Sequence, residues 1–167
     1  MANYALLNTV LSSLDKKHFV GGVFCDLQKP FDCVNHNILL TKLEFYGISG
    51  FSNQLMRSYL DHRYQIVVIK DNGTIKLTSE WEPVKHGVPQ GLILGPLLFL
   101  VYINDLSRTI NGVADLILFT NDMSIVISYI NLEEFKRNIN LVMNQTINWF
   151  QSNFLSLNCN KTHLLQF

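Results

Sequence analysis

Hydrophobic residues recur along the chain with two different spacings, and the spacing changes several times. A repeat of three and four residues, which places apolar side chains on one face of a helix, occurs in residues 2–17 and 132–150. Short apolar runs of strand length occupy residues 18–26, 113–119 and 123–129. Because the two kinds of segment are interleaved, the sequence predicts a mixed structure of helices and strands.

Turn and cap residues define the remaining elements. Asn35 can cap a helix that ends near Gly47. Residues 64–70 and 74–81 are strand-like and flank Asn72-Gly73, and Asn-Gly between two such runs is a strong hairpin signal. Four more elements are predicted. They are a short helix over residues 51–60, a buried helix over 95–106, the turn of a second hairpin at 120–122 and a last strand over 164–167.

This order of elements favours one fold class. Hairpins mixed with helices favour an antiparallel sheet with helices packed on one face, which is an α+β layer. A chain of 167 residues can form one domain with a sizeable core and hardly two. We therefore predict a single α+β domain over residues 1–167.

Composition and charge narrow the functional classes. Hydrophobic residues make up 48% and charged residues 16% of the chain, which excludes intrinsic disorder. The formal net charge is +0, whereas an autonomous nucleic-acid binder usually carries a basic excess that neutralises phosphates. The charge argues mildly against tight autonomous binding of DNA or RNA. It is compatible with one piece of a larger nucleic-acid enzyme.

The sequence also predicts where the protein resides. Cys25, Cys33 and Cys159 form no Cys-x-x-Cys pair and are interpreted as reduced thiols. The chain does not open on a signal peptide, and the apolar residues 92–103 are too few to span a membrane. We expect an intracellular protein, in the nucleus or the cytoplasm, without a membrane partner.

Two acidic residues are candidates for a metal site. Asp26 follows a predicted central strand, and Asp122 lies in the turn of the second hairpin. Carboxylates in these places can meet above one sheet and hold Mg²⁺ with few protein ligands plus substrate phosphates. Two such ions can activate an attacking oxygen and stabilise a leaving oxygen. Taken singly, each Asp is also explained as an ordinary turn or cap residue.

The third candidate element is a loop rich in glycine and proline, residues 87–96. This density of Gly and Pro requires an unusual backbone path before the buried helix. Such a loop would let a nucleic-acid strand or a base approach the main chain closely. The alternative is an ordinary loop that starts a helix at Pro96.

Several long motifs, in one consistent order, resemble the reverse transcriptases of non-LTR retrotransposons of the jockey or LINE type. Residues 24–36 (FCDLQKPFDCVNH) resemble the first polymerase motif of that family, and residues 87–106 (GVPQGLILGPLLFLVYINDL) resemble the second. Residues 118–125 (LFTNDMSI) resemble the third, which is normally Phe-Ala-Asp-Asp. Residues 40–48 and 149–162 also match. The resemblance implies the palm, with residual fingers, of a right-handed polymerase.

The resemblance implies a role for each matching residue. Asp26 and Asp122 would be metal ligands for two Mg²⁺ ions, with Asn121-Asp122 in the catalytic turn. Lys161 would act near the pyrophosphate leaving group as a candidate general acid. The residues that would contact nucleotide or template are Phe31, as a steric gate, with Gln90 and Gly91. The implied partners are an RNA template, a DNA primer and deoxynucleoside triphosphates.

The sequence departs from the family pattern at its centre. Asn121 stands where the first Asp of the pair is expected, and a neutral amide is a far poorer Mg²⁺ ligand than a carboxylate. We therefore expect weakened metal binding and an inactive or severely impaired enzyme. Pro30, Leu92 and Thr120 also differ from the family pattern, which suggests relaxed selection on a decaying element.

Three functional hypotheses remain open from the sequence. The resemblance begins just before the first motif and stops near the end of the palm, so most of the fingers and the thumb are expected to be absent. The first hypothesis is therefore a defective reverse transcriptase fragment. The second is a working enzyme whose other parts come from a longer product. The third is a non-catalytic nucleic-acid-binding or interaction protein derived from the palm.

Overall fold

The computed structural model describes residues 2–71, 74–91, 93–119 and 122–167. Six helices and eight strands are found in these ranges. The helices are α1 Ala2–Asp15, α2 His36–Phe45, α3 Gly50–Leu60, α4 Leu94–Ile103, α5 Leu106–Thr109 and α6 Leu132–Ser152, and a 3-10 turn covers Cys159–Lys161. The strands are β1 Phe19–Asp26, β2 Tyr64–Gln65, β3 Val68–Asp71, β4 Thr74–Thr78, β5 Glu82–Pro83, β6 Asp115–Phe119, β7 Asp122–Tyr129 and β8 His163–Gln166.

A four-stranded antiparallel sheet forms the centre of the domain, with the strand order β6-β7-β1-β8. β1 pairs with β7 over its whole length, from Phe19 opposite Tyr129 to Asp26 opposite Asp122. β6 and β7 pair from Asp115 opposite Val126 to Phe119 opposite Asp122. The sheet therefore carries the end of β1 and the start of β7 to the same edge.

The two faces of the sheet are covered by different helices. Alternate residues of a strand point to opposite faces. Val23 of β1 and Ile125 of β7 belong to the large core that also contains side chains of α2, α4 and α6. Val20 and Val126, on the other face, pack with Val10 of α1. The α+β fold with an antiparallel sheet is confirmed, and α1 differs from the predicted arrangement because it covers the second face.

Local signals explain several element ends. The Asn35 Oδ1 accepts the backbone N–H of Ile38 at 3.1 Å, as expected of an N-cap residue. Gly47 follows α2 with a φ of +91°, in the left-handed region that glycine adopts without strain. The predicted strand over residues 64–70 is divided into β2 and β3, and β2 pairs with β5 outside the β3–β4 hairpin. The predicted turn residues Asn72-Gly73 lie outside the described residues.

A partly buried lysine joins α2 to the helices behind the sheet. The Lys42 Nζ donates to the Tyr102 carbonyl oxygen and to the Asp105 carboxylate, both at 2.6 Å. It also lies 4.7 Å from the centre of the Trp149 ring, within the range of a cation–π interaction. Burial lowers the pKa of Lys42, and the hydrogen bond and charge of Asp105 oppose that shift. The lysine thus holds α2, α4 and α6 together.

Replacing this lysine is expected to destabilise the fold. Lys42→Met keeps the apolar stem and removes both hydrogen bonds and the charge beside Asp105. We expect the free energy of unfolding to fall by about 1–3 kcal/mol, measured by urea denaturation. The control is Lys76→Met, since Lys76 forms an exposed ion pair with Asp71 and its loss should change stability by no more than about 0.5 kcal/mol. Equal effects of the two substitutions would show that the buried contacts of Lys42 add nothing.

No helix within the described ranges is both long and apolar enough to cross a membrane.

Candidate active site

The two candidate metal ligands lie side by side on the sheet. Asp26, the last residue of β1, is directly opposite Asp122, the first residue of β7. Directly opposed residues in an antiparallel pair have Cα atoms about 4.5–5.5 Å apart and side chains on the same face. The expectation that these carboxylates meet above one sheet agrees with this register.

A cleft of about 350 Å³ opens at this position. Asp26, Asp122 and Lys161 all line it, together with Asn3 and Leu6 from the first turns of α1. The Lys161 Nζ lies 3.7 Å from the Asp26 Oδ2, and the lysine side chain is 70% exposed while that of Asp26 is 21% exposed. Two carboxylates and the ammonium group of a long lysine side chain therefore share one cleft, although the three residues are far apart in sequence.

The segment that carries Lys161 is fixed to the end of β1 by backbone hydrogen bonds. The Asn158 N–H donates to the Asp26 carbonyl oxygen at 2.9 Å, and the Gln28 N–H donates to the Ser156 carbonyl oxygen at 2.9 Å. The Asn158 side chain adds a bond from Nδ2 to the Asp26 Oδ2 at 3.1 Å. Sequence reasoning did not single out Asn158. The signal that could have found it is its place in the matching motif of residues 149–162.

The candidate nucleotide-binding residues form a second group around two loops. The Val88 N–H donates to the Phe31 carbonyl oxygen at 2.8 Å, and the Gly87 N–H donates to the Val34 carbonyl oxygen at 2.8 Å. The Gln90 Nε2 donates to the Asp32 Oδ1 at 2.9 Å. The turn after β1 and the loop before α4 therefore form one layer, which brings Gln90 next to Asp32.

The environments of Phe31 and Gly91 differ. The Phe31 ring is half-buried and its centre lies 5.0 Å from that of Phe99, so the core of the domain supports one side of the ring. Gly91 has a φ of +85°, and a Cβ atom there would meet no atom within 4 Å. Its conformation, and not a close neighbour, accounts for the glycine at this position.

A second cleft of about 810 Å³ lies beside this layer. Gln90 and Asp32 line it, together with the basic residues Lys29, Arg63 and Lys85. Phe31 is not among the residues that line either cleft. The structure therefore brings Asp26, Asp122 and Lys161 together, and it places Gln90 in the second cleft.

Gly87 is the position where the two loops approach most closely. A Cβ atom there would lie 2.9 Å from both the Asp32 Cα and the Phe31 carbonyl oxygen, and its φ is +84°. We expect Gly87→Ala to lower the free energy of unfolding by about 2–4 kcal/mol, because it combines left-handed strain with overlap. The control is Gly112→Ala, where φ is +81° without any neighbour within 4 Å and strain alone of about 1–2 kcal/mol is expected. Urea denaturation of both variants measures the difference, and equal losses would show that the loops are not in tight contact.

Three of the residues singled out from the sequence, Asn121, Thr120 and Leu92, lie outside the described residues. Pro30 is described and buried. The Asp32 N–H donates to the Lys29 carbonyl oxygen at 3.0 Å, which places Pro30 second in a turn, where proline is favoured and its lack of an N–H has no consequence. The structure thus gives a local reason why Pro30 is tolerated.

Apart from Lys161, the described residues that line the cleft beside the two carboxylates carry no formal charge. Cys25 lies between Phe24 and Asp26 and is buried, and burial raises the pKa of its thiol to about 11. The thiol is therefore neutral at physiological pH and does not compete with Asp26 for a cation. No group of three or more His, Cys, Asp or Glu side chains suited to hold a metal is found among the described residues. Asp26 and Asp122 are nonetheless compatible with Mg²⁺, which often takes one or two carboxylates plus substrate phosphates.

Comparison with known proteins identifies the family. Residues 7–166 match the family model described as "Reverse transcriptase (RNA-dependent DNA polymerase)". This chain belongs to the reverse transcriptase family. Among its relatives is a probable RNA-directed DNA polymerase from transposon BS of Drosophila melanogaster, 32% identical over 109 residues, which are 62% of this chain and 11% of the relative. The RNA-directed DNA polymerase from the mobile element jockey of Drosophila funebris is 30% identical over 115 residues, 67% of this chain and 12% of the relative.

The reverse transcriptase domain is of the non-LTR retrotransposon type, as the sequence motifs predicted. Among solved structures, a telomerase from Candida tropicalis in complex with a fragment of telomeric RNA has a TM-score of 0.69 at 16% identity. The alignment covers 99% of this chain and 29% of that chain. This likeness confirms the polymerase palm-type fold. The chain spans only about an eighth or less of the two retrotransposon polymerases that it matches.

Proposed function

We propose that this chain is the palm core of a non-LTR reverse transcriptase whose ancestral reaction is RNA-templated DNA synthesis from deoxynucleoside triphosphates. The observation that carries the proposal is the register that sets Asp26 opposite Asp122, in a cleft that Lys161 also lines. Two bound Mg²⁺ ions would activate the attacking primer oxygen and stabilise the leaving one. Asp26 and Asp122 would hold these ions.

The resemblance to the family implies roles for the other residues. Lys161 lies in the same cleft and would donate a proton to the pyrophosphate leaving group, which requires that its amine leave Asp26. Gln90 and Gly91 would contact the templating base and the incoming nucleotide, with Phe31 as the gate against a ribose 2′-hydroxyl. The RNA template and DNA primer would lie along the clefts that Lys161 and Gln90 line.

We further propose that the present chain is inactive or severely impaired. Asn121 supplies a neutral amide where the family motif has an Asp, which the resemblance implies would be a metal ligand. Loss of one negative charge weakens both metal occupancy and stabilisation of the transition state. The domain over residues 1–167 would therefore be a palm core that has lost its chemistry.

A graft tests whether the palm assignment is correct. Residues 18–167, carrying Asn121→Asp, would replace the corresponding region of a complete related reverse transcriptase. We expect primer extension that requires an RNA template, deoxynucleotides and Mg²⁺. A graft that folds and binds primer–template tightly, but does not extend it, would contradict the polymerase proposal and support the binding-module hypothesis.

A further inference from the structure

Asn158 contacts Asp26 through both its backbone and its side chain. The backbone N–H donates to the Asp26 carbonyl oxygen at 2.9 Å, and the side-chain Nδ2 donates to the Asp26 Oδ2 at 3.1 Å. The two residues are 132 positions apart in the chain. A side-chain contact over this separation, at the end of the strand that carries a candidate metal ligand, requires an explanation.

The backbone of the segment is fixed without the Asn158 side chain. Leu157 forms a bridge with Leu27, and the Ser156 carbonyl oxygen accepts the Gln28 N–H. The Asn158 carbonyl oxygen in turn accepts the Lys161 N–H at 3.0 Å and the Thr162 Oγ1 hydroxyl at 2.9 Å. These bonds close the turn and attach it to β1. The hydrogen bond from Nδ2 to Asp26 is therefore not needed to hold the turn in place, and it can have a different role.

The chemistry of that bond suits a residue that orients a metal ligand. The terminal torsion of an aspartate side chain is broad, so an isolated carboxylate rotates freely. A hydrogen bond to Oδ2 restricts this rotation and favours the other oxygen, Oδ1, as the one offered to an ion. An amide donor does so without neutralising the carboxylate, whereas the Lys161 ammonium, 3.7 Å from the same Oδ2, adds positive charge. Partners of this kind orient metal ligands in other sites.

We propose that Asn158 is a positioning residue, which holds the Asp26 carboxylate through Oδ2 so that Oδ1 can bind a divalent cation. This inference rests on the proposed function, because it assumes that Asp26 is a metal ligand. It adds a residue for which neither the sequence patterns nor the comparisons supply a role. The Asn158 side chain would act through Asp26 and would not touch the ion.

Binding of Mn²⁺ by the complete 167-residue chain tests the proposal independently of polymerase activity. Free Mn²⁺ is counted from its electron paramagnetic resonance signal during titration of the parent chain, Asp26→Asn, Asn158→Ala and Asn160→Ala. Asn160 is an exposed asparagine in the same turn, and Asn160→Ala is expected to bind Mn²⁺ as the parent does. For Asn158→Ala we expect a Kd about tenfold higher, at an unchanged circular dichroism spectrum.

The outcomes separate this inference from the function on which it rests. If Asp26→Asn weakens binding and Asn158→Ala stays within about twofold of the parent, Asn158 has no positioning role and the proposed metal site stands. If Asp26→Asn leaves binding unchanged, Asp26 is not a metal ligand, and both proposals are wrong. If Asn158→Ala does not fold, nuclear magnetic resonance of the unsubstituted chain decides the question.

In that experiment Mg²⁺ is added to the ¹⁵N-labelled chain. We expect the side-chain amide signals of Asn158 to move with the same midpoint as the backbone amide of Asp26, while those of Asn160 stay in place. Asn158 signals that do not move, during a titration that shifts Asp26, would overturn the proposal.

Discussion

Asn121→Asp is expected to raise the rate of primer extension by about 10²–10³-fold when residues 18–167 are placed in a complete reverse transcriptase. The substitution adds one carboxylate beside Asp122, which lies directly opposite Asp26. The sequence would then supply three candidate metal-binding carboxylates in place of two. Each added negative ligand strengthens binding of Mg²⁺ and the stabilisation of charge that develops in the transition state.

The measurement is single-turnover extension of a primer on an RNA template, over a range of Mg²⁺ concentrations. We expect the native graft to need more Mg²⁺ than the Asn121→Asp graft and to remain slower at saturation. A matched control is Asn111→Asp, which adds the same charge at an exposed position before β6. A native graft that extends as fast as the Asn121→Asp graft would refute the proposed defect, and this chain would be a working polymerase core.

If neither graft extends the primer and neither binds primer–template tightly, the damage lies elsewhere in the chain. Pro30 is a weak candidate for such damage, because it occupies a turn position that suits proline. Leu92 would be the stronger candidate, since it follows Gln90-Gly91 directly. Leu92→Ser in the Asn121→Asp graft would test this, with recovery of extension as the expected result.

The sequence predicted most of the fold because the local signals agree with the tertiary structure. Asn35 caps α2 and Gly47 follows its end, as expected from short-range physics alone. Asp26 and Asp122 lie opposite each other because β1 ends, and β7 begins after its hairpin turn, at the same edge of the antiparallel sheet. These features depend on residues close in sequence or on the regular geometry of strands.

Features that depend on distant contacts were not predicted. The apolar residues of α1 were read as one face, but Val10 is buried whereas Leu7 and Leu11 are exposed, so periodicity did not show which stripe packs against the sheet. The predicted helix over residues 95–106 is interrupted at Asn104-Asp105. There, Lys42 binds both Asp105 and the carbonyl oxygen of Tyr102, a contact that no local pattern reveals.

The charge of the chain bears on how a domain of this kind could bind nucleic acid. Its formal net charge is +0, yet in the cleft that also contains Gln90 the basic residues Lys29, Arg63 and Lys85 outnumber the acidic residues Asp32 and Glu82. Binding to phosphates releases counterions and therefore weakens as salt increases. Any affinity of the isolated chain for primer–template should depend on this local group of basic residues, since the chain has no overall excess of positive charge.

The second large effect is expected from Asp26→Asn in the Asn121→Asp graft, which should lower the extension rate by about 10²–10³-fold. Asp26 lies at the end of a central strand, opposite Asp122, and its Oδ2 is held by Asn158. The substitution keeps the size of the side chain and removes the negative charge that we propose binds Mg²⁺. It also removes the carboxylate that balances the positive charge of Lys161 in the cleft. Because that charge then repels a cation, a lower Mg²⁺ affinity should accompany the slower rate.

The matched control for this experiment is Asp115→Asn, which removes one exposed carboxylate from the same sheet. Asp115 is opposite Val126, at the far end of the β6–β7 pair from Asp122. Its loss should leave the extension rate and the Mg²⁺ dependence unchanged. If Asp26→Asn and Asp115→Asn behaved alike, charge on the sheet in general, and not a carboxylate placed opposite Asp122, would govern the reaction. Retention of full activity by Asp26→Asn would exclude Asp26 as a metal ligand, because a neutral amide cannot replace a carboxylate without loss of Mg²⁺ affinity.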